Sequence, residues 1–155
     1  MENVHPVAAR ACLRYDSRME WTNGAYTLTD DRARVDLDAV CSLLQSTYWA
    51  NDRPREVIAK SIQHSVCFTL LHEGRQIGFA RGVTDHATFT WIADVIVGPE
   101  HQGRGLGKWM MQCLLAHPEL QTISHHLCTR DAHEFYEPFG FQRIEAMRRS
   151  SRPPF

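Results

Sequence analysis

A glycine-rich stretch carries the clearest chemical signal in this sequence. Gly103, Gly105 and Gly107 stand at every second position, after an apolar run at residues 91–97 and before a helical pattern of apolar residues. A strand, a loop and a helix in this order bring unpaired backbone N–H groups and the positive end of the helix dipole to one place. The stretch therefore predicts a site for an anion such as a diphosphate.

The spacing of these glycines disfavours two common nucleotide-binding loops. A dinucleotide-binding loop has the pattern G-x-G-x-x-G, which alternating glycines do not provide. A nucleoside-triphosphate loop has Lys and then Ser or Thr after its last glycine. Gly98 and Gly103 have the required separation, but Arg104 and Gly105 follow them. Both interpretations therefore fail at specific positions.

A single carboxylate interrupts the apolar run that precedes the glycines. Asp94 lies within residues 91–97, where a charge is unfavourable unless it is paired or faces a cavity. Burial there would raise the pKa of this carboxylate and make it a candidate base. The alternative is a structural aspartate bonded to a nearby arginine such as Arg81.

Length and charge indicate one globular domain without a strong electrostatic field. The 155 residues suit a single domain with a real core, and the net charge is −1 at pH 7. We therefore expect no attraction to nucleic acid or to an anionic membrane surface. No apolar run approaches the ~20 residues of a membrane span, and the N-terminus lacks the pattern of a secretory signal. A cytoplasmic protein is expected.

The cysteines and histidines form no metal-binding or disulfide pattern. The five cysteines are scattered without C-x-x-C spacing, and the nine histidines include no pair at H-x-x-x-H spacing. We therefore predict neither a zinc site nor a disulfide framework, and no bound metal.

Hydrophobic periodicity predicts alternating strands and helices after an N-terminal extension at residues 1–20. Strands are predicted at residues 25–29, 66–71, 76–83, 89–97, 121–127 and 141–147. One helix is predicted from the cap Asp36 to Tyr48, and a second from Pro54, with Val57, Ile58 and Ile62 on its buried stripe. A third helix follows the glycines and ends before Pro118. A short fourth helix is predicted from the cap Asp131 to Glu137.

The glycine stretch and a second motif resemble one known family. Residues 102–107 read Gln-Gly-Arg-Gly-Leu-Gly and resemble the Q/R-x-x-G-x-G/A loop that binds the pyrophosphate of acyl-CoA in the GCN5-related N-acetyltransferases, the GNAT superfamily. Residues 131–141 are similar to that family's A-x-x-F/L-Y-x-x-x-G-F segment. The predicted order of elements, βααβββαβαβ over residues 24–148, is also similar to the family's topology.

The resemblance implies a fold and a set of coenzyme-binding residues. The fold class is α/β (α+β), with a mixed central sheet of about six to seven strands that contains a splayed strand pair and is flanked by about four helices. The implied domain covers residues 21–155, and the implied co-substrate is acetyl-CoA, without a metal. The residues implied in binding it are Val95, Ile96, Val97, Gln102, Gly103, Arg104, Gly105, Leu106, Gly107, Lys108 and Phe135.

The roles implied for individual side chains have structural alternatives. Arg104 and Lys108 would pair with phosphates, or would simply be exposed. The Tyr136 hydroxyl would reach the coenzyme sulfur as a general acid, or Tyr136 would be a core aromatic residue. Tyr48 and Trp49 would line the acceptor pocket, or Tyr48 would belong to the core. Asp94 would be the base or an anchor for the acceptor.

The activity that the resemblance implies is acetyl-CoA-dependent N-acetylation. A primary amine of a small molecule or peptide would attack the thioester directly in a ternary complex. The alternative is a non-catalytic acyl-CoA-binding sensor or regulatory module. The resemblance implies neither nucleic acid nor a membrane as a partner, and a homodimer is compatible with the predicted edge strands.

Overall fold

A mixed sheet of six strands forms the centre of the molecule in a computed structural model, which describes residues 18–150. Neighbouring strands are antiparallel from the first to the fifth, and the sixth runs parallel to the fifth. The predicted α/β class and mixed sheet are confirmed. The strands lie in chain order: β1 (Glu20–Asn23), β2 (Tyr26–Thr29), β3 (Val66–His72), β4 (Arg75–Thr84), β5 (Phe89–Val97) and β6 (Ser124–His126).

Helices cover both faces of this sheet. One face carries α1 and α2, where Val40 and Ile58 pack against Phe79 of β4. The other face carries α3 and α4, where Met110 packs in one cluster with Phe68 of β3. The sheet is therefore the middle of three layers. The four α-helices of the described residues are α1 (Leu37–Gln45), α2 (Arg55–Gln63), α3 (Leu106–Ala116) and α4 (His133–Tyr136).

Helix α1 begins as the sequence predicts but ends earlier. The Asp36 carboxylate accepts hydrogen bonds from two backbone N–H groups of the first turn, as an N-cap does. At the other end, the Ser46 and Thr47 hydroxyls donate to carbonyls of the last turn at 2.6 and 2.7 Å. These bonds close the helix at Gln45. The prediction that it continues to Tyr48 is therefore wrong, and Tyr48 lies in the turn that follows.

Helix α2 buries a narrower stripe than the sequence predicts. Ile58 and Ile62 are buried, as predicted, whereas Val57 is 46% exposed. Pro54 precedes the first helical residue with extended backbone rather than occupying the first helical position. The predicted place of Val57 in the core is therefore wrong, because the helix turns only its Ile58 and Ile62 side towards the sheet.

Strand β5 contains a bulge at the position of Asp94. Ala93 pairs with Arg81, and Ile96 pairs with Phe79, so one residue of β4 lies opposite two residues of β5. The backbone of Asp94 has a φ of 54°, in the left-handed region that non-glycine residues seldom occupy. Such a conformation costs on the order of 1–3 kcal/mol and is most common at functional sites.

The contact between β5 and β6 is short. Phe89, Thr90 and Trp91 pair with the three residues of β6, and among the described residues the rest of β5 has no partner on that side. The predicted strand at residues 121–127 is therefore too long. Beyond His126 the two parallel strands diverge, and this splay leaves a gap beside the C-terminal half of β5.

The C-terminal segment differs most from the sequence-based expectation. Asp131 does not cap α4, which begins after Ala132 without a side-chain cap. The predicted strand at residues 141–147 is also wrong, because residues 141–150 are not paired in a strand, and Ile144 is 70% exposed. The segment makes no ladder with β6, the last strand of the sheet, and an extended segment needs a paired neighbour to form a strand.

The N-terminal side of the sheet holds a strand that periodicity did not reveal. β1 pairs with β2 through a turn at Gly24, whose φ is 58°, and Trp21 packs against the core. Most of the predicted extension, residues 1–17, lies outside the described residues, as do residues 151–155. In the part of the chain that the structure describes, no helix has the length and apolar character needed to cross a bilayer.

Candidate active site

The glycine loop lies between the end of β5 and the start of α3. Gly103 and Gly105 both have a φ of 76°, and a Cβ added at either would meet no atom within 4 Å. The loop therefore requires glycine at these two positions for backbone conformation rather than for lack of space. Residues 102–105 are exposed, so their backbone faces solvent.

The start of α3 leaves its first N–H groups available. Gly105 is the N-cap, and it has no side chain to accept their hydrogen bonds. The first intrahelical bond after this cap runs from the N–H of Trp109 to the Gly105 carbonyl, at 3.0 Å. The N–H groups of residues 106–108 therefore point out of the helix beside the exposed loop, with the geometry of an anion cradle.

Gly107 joins this cradle to α4. A Cβ at Gly107 would lie 3.4 Å from the Phe135 ring, so the missing side chain allows the ring to pack against the first turn of α3. Phe135 thereby stands beside the cradle, where the sequence resemblance places it. This packing also fixes the position of Tyr136, the next residue of α4, relative to the loop.

The polar side chains of the loop contact other protein groups. The Gln102 amide donates to the Val97 carbonyl at 2.9 Å and ties the loop to the end of β5. Arg104 donates to the Tyr26 hydroxyl at 3.2 Å and to the Glu100 carbonyl at 3.4 Å. Lys108 is exposed on the first turn of α3. Both cations are accessible, and Arg104 would exchange weak contacts for a phosphate.

The C-terminal half of β5 presents backbone to the gap. Val95 and Val97 are half-buried and pack on the α3 face, whereas Ile96 is buried on the α1 face. Their side chains therefore belong to the two cores. Because β5 has no described strand partner on this side beyond Trp91, this edge of residues 95–97 is open to a ligand, except that the Val97 carbonyl accepts the Gln102 amide.

Tyr136 is enclosed by aromatic rings, and its hydroxyl is available. Its ring contacts Phe135 and Phe141, with centroids 4.8 and 5.8 Å apart. No hydrogen bond of the hydroxyl is seen within residues 18–150. Burial raises the pKa of Tyr136 to about 12, and the nearby Tyr48 contributes to the same shift. The hydroxyl is therefore neutral at physiological pH and can donate a hydrogen bond.

The turn after α1 reaches across to the loop before α4. The Tyr48 hydroxyl donates to Asp131 at 3.0 Å, and the guanidinium of Arg130 lies 3.9 Å from the centre of the Tyr48 ring. The ring of Trp49 meets that of Tyr48 edge-on at 5.1 Å. Tyr48 and Trp49 are 45% and 46% exposed, so Tyr48 is outside the core. Both rings are therefore accessible to a ligand in the turn after α1.

Asp94 is held by two arginines. Its side chain is 2% exposed, and its Oδ2 atom lies 2.8 Å from Nη1 of Arg53 and 2.6 Å from Nε of Arg81. Arg53 also reaches the other oxygen of the carboxylate, at 3.0 Å. Both oxygens of Asp94 are therefore engaged as acceptors. This geometry favours a structural carboxylate that holds the bulge over a general base.

Asp94→Asn tests the two roles of this carboxylate. We expect a loss of about 3 kcal/mol of stability, because the change leaves two partly buried guanidinium groups without their counter-charge. The midpoint of thermal unfolding should fall by about 6–12 °C. A general base would instead lose the ascending limb of its pH–rate profile at unchanged stability. Asp38→Asn, which breaks an exposed pair with Arg55, is the matched control.

The structure brings most of the predicted site residues to one side of the sheet. Val95 and Val97 of β5, Phe135 and Tyr136 pack against one core cluster on the α3 face, and Phe135 lies against Gly107 at the end of the glycine loop. Asp94 lies at the bulge on the opposite face. The contribution of Arg53 could not be deduced from the sequence, because its partner Asp94 is 41 residues away. The same holds for Tyr48 and Asp131, which are 83 residues apart.

No metal site accompanies this arrangement in the described residues. Within residues 18–150, no three side chains of the His, Cys, Asp and Glu types come together in a geometry that could hold a metal ion. The cysteines of this range that the structure describes are free thiols.

Comparison with known proteins places the chain in a family. A family model described as an acetyltransferase (GNAT) domain matches residues 63–143, more than half of the chain. A histone acetyltransferase of Glycine max is 33% identical over 91% of this chain and 66% of its own length. A curated relative from Gibberella zeae is 34% identical over 61% of this chain and 64% of its own length. The chain thus spans less than two thirds of these relatives.

Solved structures agree with the family model. A GNAT-family protein from Xanthomonas campestris pv. campestris has a TM-score of 0.77 and 37% identity, over 81% of this chain and 92% of that one. N-acetylglutamate synthase from Neisseria gonorrhoeae, in complex with coenzyme A and N-acetylglutamate, has a TM-score of 0.67. With 19% identity over 80% of this chain and 30% of that one, it shows the fold alone.

The fold, the glycine loop and these matches define an acetyltransferase domain. The chain belongs to the GNAT family, as its resemblance to the family's motifs predicted.

Proposed function

We propose that this chain is an N-acetyltransferase that moves the acetyl group of acetyl-CoA to a primary amine. The amine of a small molecule or peptide attacks directly, within a complex that contains both substrates. The observation that carries the proposal is the junction of β5 and α3. There, two glycines at a φ of 76° and the uncapped start of α3 expose backbone N–H groups beside the gap.

Coenzyme binding follows from this junction. The N–H groups of residues 103–108 hold the pyrophosphate, and Arg104 and Lys108 add positive charge. The free edge of β5 at residues 95–97 hydrogen-bonds the pantetheine arm. Phe135 packs beside that arm, at the place where Gly107 leaves room. These residues bind and orient the thioester, which is the activated acetyl group.

The transfer requires one hydrogen-bond donor at the thioester carbonyl and another at the thioester sulfur. A backbone N–H of β5 polarises the thioester carbonyl, and a preorganised donor of this kind contributes about 3 kcal/mol. The amine nitrogen forms a C–N bond, the C–S bond breaks, and the electron pair leaves on sulfur. The neutral Tyr136 hydroxyl donates a hydrogen bond to that thiolate.

A group other than Asp94 must accept the proton that the amine loses. Both oxygens of Asp94 accept hydrogen bonds from arginines, so the carboxylate supports the bulge and does not take the proton. We assign the proton to water that enters the gap. The bulge then serves the reaction by setting the direction of the β5 backbone at residues 95–97.

An amine panel tests the proposal. Release of free CoA from acetyl-CoA is measured with polyamines, aminoglycosides, arylalkylamines, amino acids and a lysine-containing histone peptide, the last because one relative is named a histone acetyltransferase. We expect turnover with at least one class, and an N-acetyl product by mass spectrometry. Tight binding of acetyl-CoA without turnover of any amine would instead support the sensor function.

A further inference from the structure

Two guanidinium groups meet one carboxylate at the bulge of β5. Arg81 donates from Nε to Asp94 and from Nη1 to the Ser65 hydroxyl, at 2.6 and 3.2 Å, and its side chain is 13% exposed. These contacts already provide Asp94 with a counter-charge. Arg53 is a second cation on the same carboxylate. The cluster therefore carries an excess of one positive charge in a largely buried place.

Arg53 has N–H donors that its contacts with Asp94 do not use. Its Nη1 atom makes both contacts with Asp94, at 3.0 and 2.8 Å. Within residues 18–150, no hydrogen bond is seen from its Nε or Nη2 atoms, and its side chain is 21% exposed. A planar guanidinium that is anchored on one side and open on the other is suited to bind a carboxylate or a phosphate.

The other ion pairs of this region lack such an excess. Arg55 is paired with Asp38, and Arg34 with Glu20, each as one cation with one anion. All four of these side chains are exposed, so solvent screens their charges. The partly buried Arg53 is screened less, which makes its excess charge the stronger attraction for an anionic ligand.

The position of Arg53 relates this charge to the acceptor. It lies in the turn between α1 and α2, which also carries Tyr48 and Trp49. Tyr48 is close enough to Tyr136 to raise the pKa of that phenol. At its other end the turn is fixed by Arg53 to Asp94, the neighbour of Val95. The turn thus carries two exposed aromatic rings, one of them near Tyr136, and a cation that is bound to Asp94 at the bulge.

The geometry points to an acceptor amine that also carries an anionic group, a carboxylate or a phosphate, which Arg53 binds. Tyr48 and Trp49 contact the apolar or aromatic body of the same molecule. This inference rests on the proposed N-acetyltransferase function and specifies its substrate class. Arg53 is then a residue that determines specificity, through the group that accompanies the reacting amine.

Matched acceptor pairs test the inference. Phenylalanine is compared with phenethylamine, and O-phosphoethanolamine with ethanolamine, each as the ratio of kcat/KM within one protein preparation. We expect the wild type to prefer the anionic member of at least one pair. In Arg53→Gln that preference should fall by about 10- to 100-fold, mainly through KM, because a charge-assisted hydrogen bond is lost. Arg53→Lys should restore part of it.

The controls separate specificity from folding and from the proposed function. Arg55→Gln makes the same change of charge two residues away and should leave the ratios unaltered. Because each ratio is measured within one variant, partial unfolding cancels. If no amine is acetylated, the proposed function fails, and binding of the same pairs to the CoA complex by calorimetry still tests Arg53. Equal use of both members by the wild type, or a preference that survives in Arg53→Gln, would overturn the inference.

Discussion

Gly105→Val is expected to weaken acetyl-CoA binding by about 100-fold or more while the domain stays folded. Valine disfavours the φ of 76° that Gly105 adopts, so the loop must change its conformation. The change turns away N–H groups that would otherwise hold the pyrophosphate, and the loss of two such charge-assisted bonds accounts for the expected factor. Calorimetric titration with acetyl-CoA measures it.

Gly74→Val is the matched control for this experiment. Gly74 has a φ of 77°, and a Cβ there would also meet no atom within 4 Å, but it lies in the turn between β3 and β4. Both variants should lose about 1–2 kcal/mol of stability, a fraction of what a domain of this kind possesses. Unchanged affinity in Gly105→Val, at the same melting temperature as Gly74→Val, would show that the loop does not hold the coenzyme.

Tyr136→Phe is expected to lower kcat by about 100-fold or more, with acetyl-CoA affinity within about threefold of the wild type. The phenylalanine ring keeps the aromatic contacts with Phe135 and Phe141, whereas the hydrogen bond to the leaving thiolate is lost. Steady-state kinetics with saturating amine and a separate binding titration distinguish the two quantities. Equal kcat values in both proteins would return Tyr136 to a purely structural role.

The pH dependence adds an independent check on Tyr136. Because burial raises its pKa to about 12, the phenol remains protonated, and the rate should not fall through its ionisation below about pH 11. A descending limb near pH 10 that disappears in the phenylalanine variant would contradict the burial of this group. Tyr48→Phe serves as a contrast, since it should alter KM for the acceptor rather than kcat.

The elements that the sequence predicts correctly are those determined by residues that are close together in the chain. The Asp36 cap, the apolar pattern of β3 to β5 and the alternating glycines each depend on neighbouring residues in the chain. Hydrophobic periodicity therefore locates these elements within a few residues. The glycine loop is the clearest case, because glycine at positions 103 and 105 permits the φ of 76° that both adopt and leaves the start of α3 without a capping side chain.

The parts that could not be predicted depend on distant partners. Whether residues 141–147 form a strand is decided by an adjacent edge, and the local sequence carries no information on that edge. The C-terminal end of α1 is an exception, because the Ser46 and Thr47 hydroxyls that close it bond to nearby carbonyls, but hydrophobic periodicity does not register them. Asp94 could be recognised as unusual, but the choice between base and ion pair required the positions of Arg53 and Arg81.

Three residue pairs join β6 to β5, and the described residues that follow β6 are held by the packing of α4 and by the contacts of Tyr48 with Arg130 and Asp131. A coenzyme bound in the gap between β5 and β6 would add a contact between β5 and the residues that follow β6. Each turnover would then remove this contact and form it again with the next coenzyme. Departure of the spent coenzyme would then coincide with a transient loosening of residues 124–150.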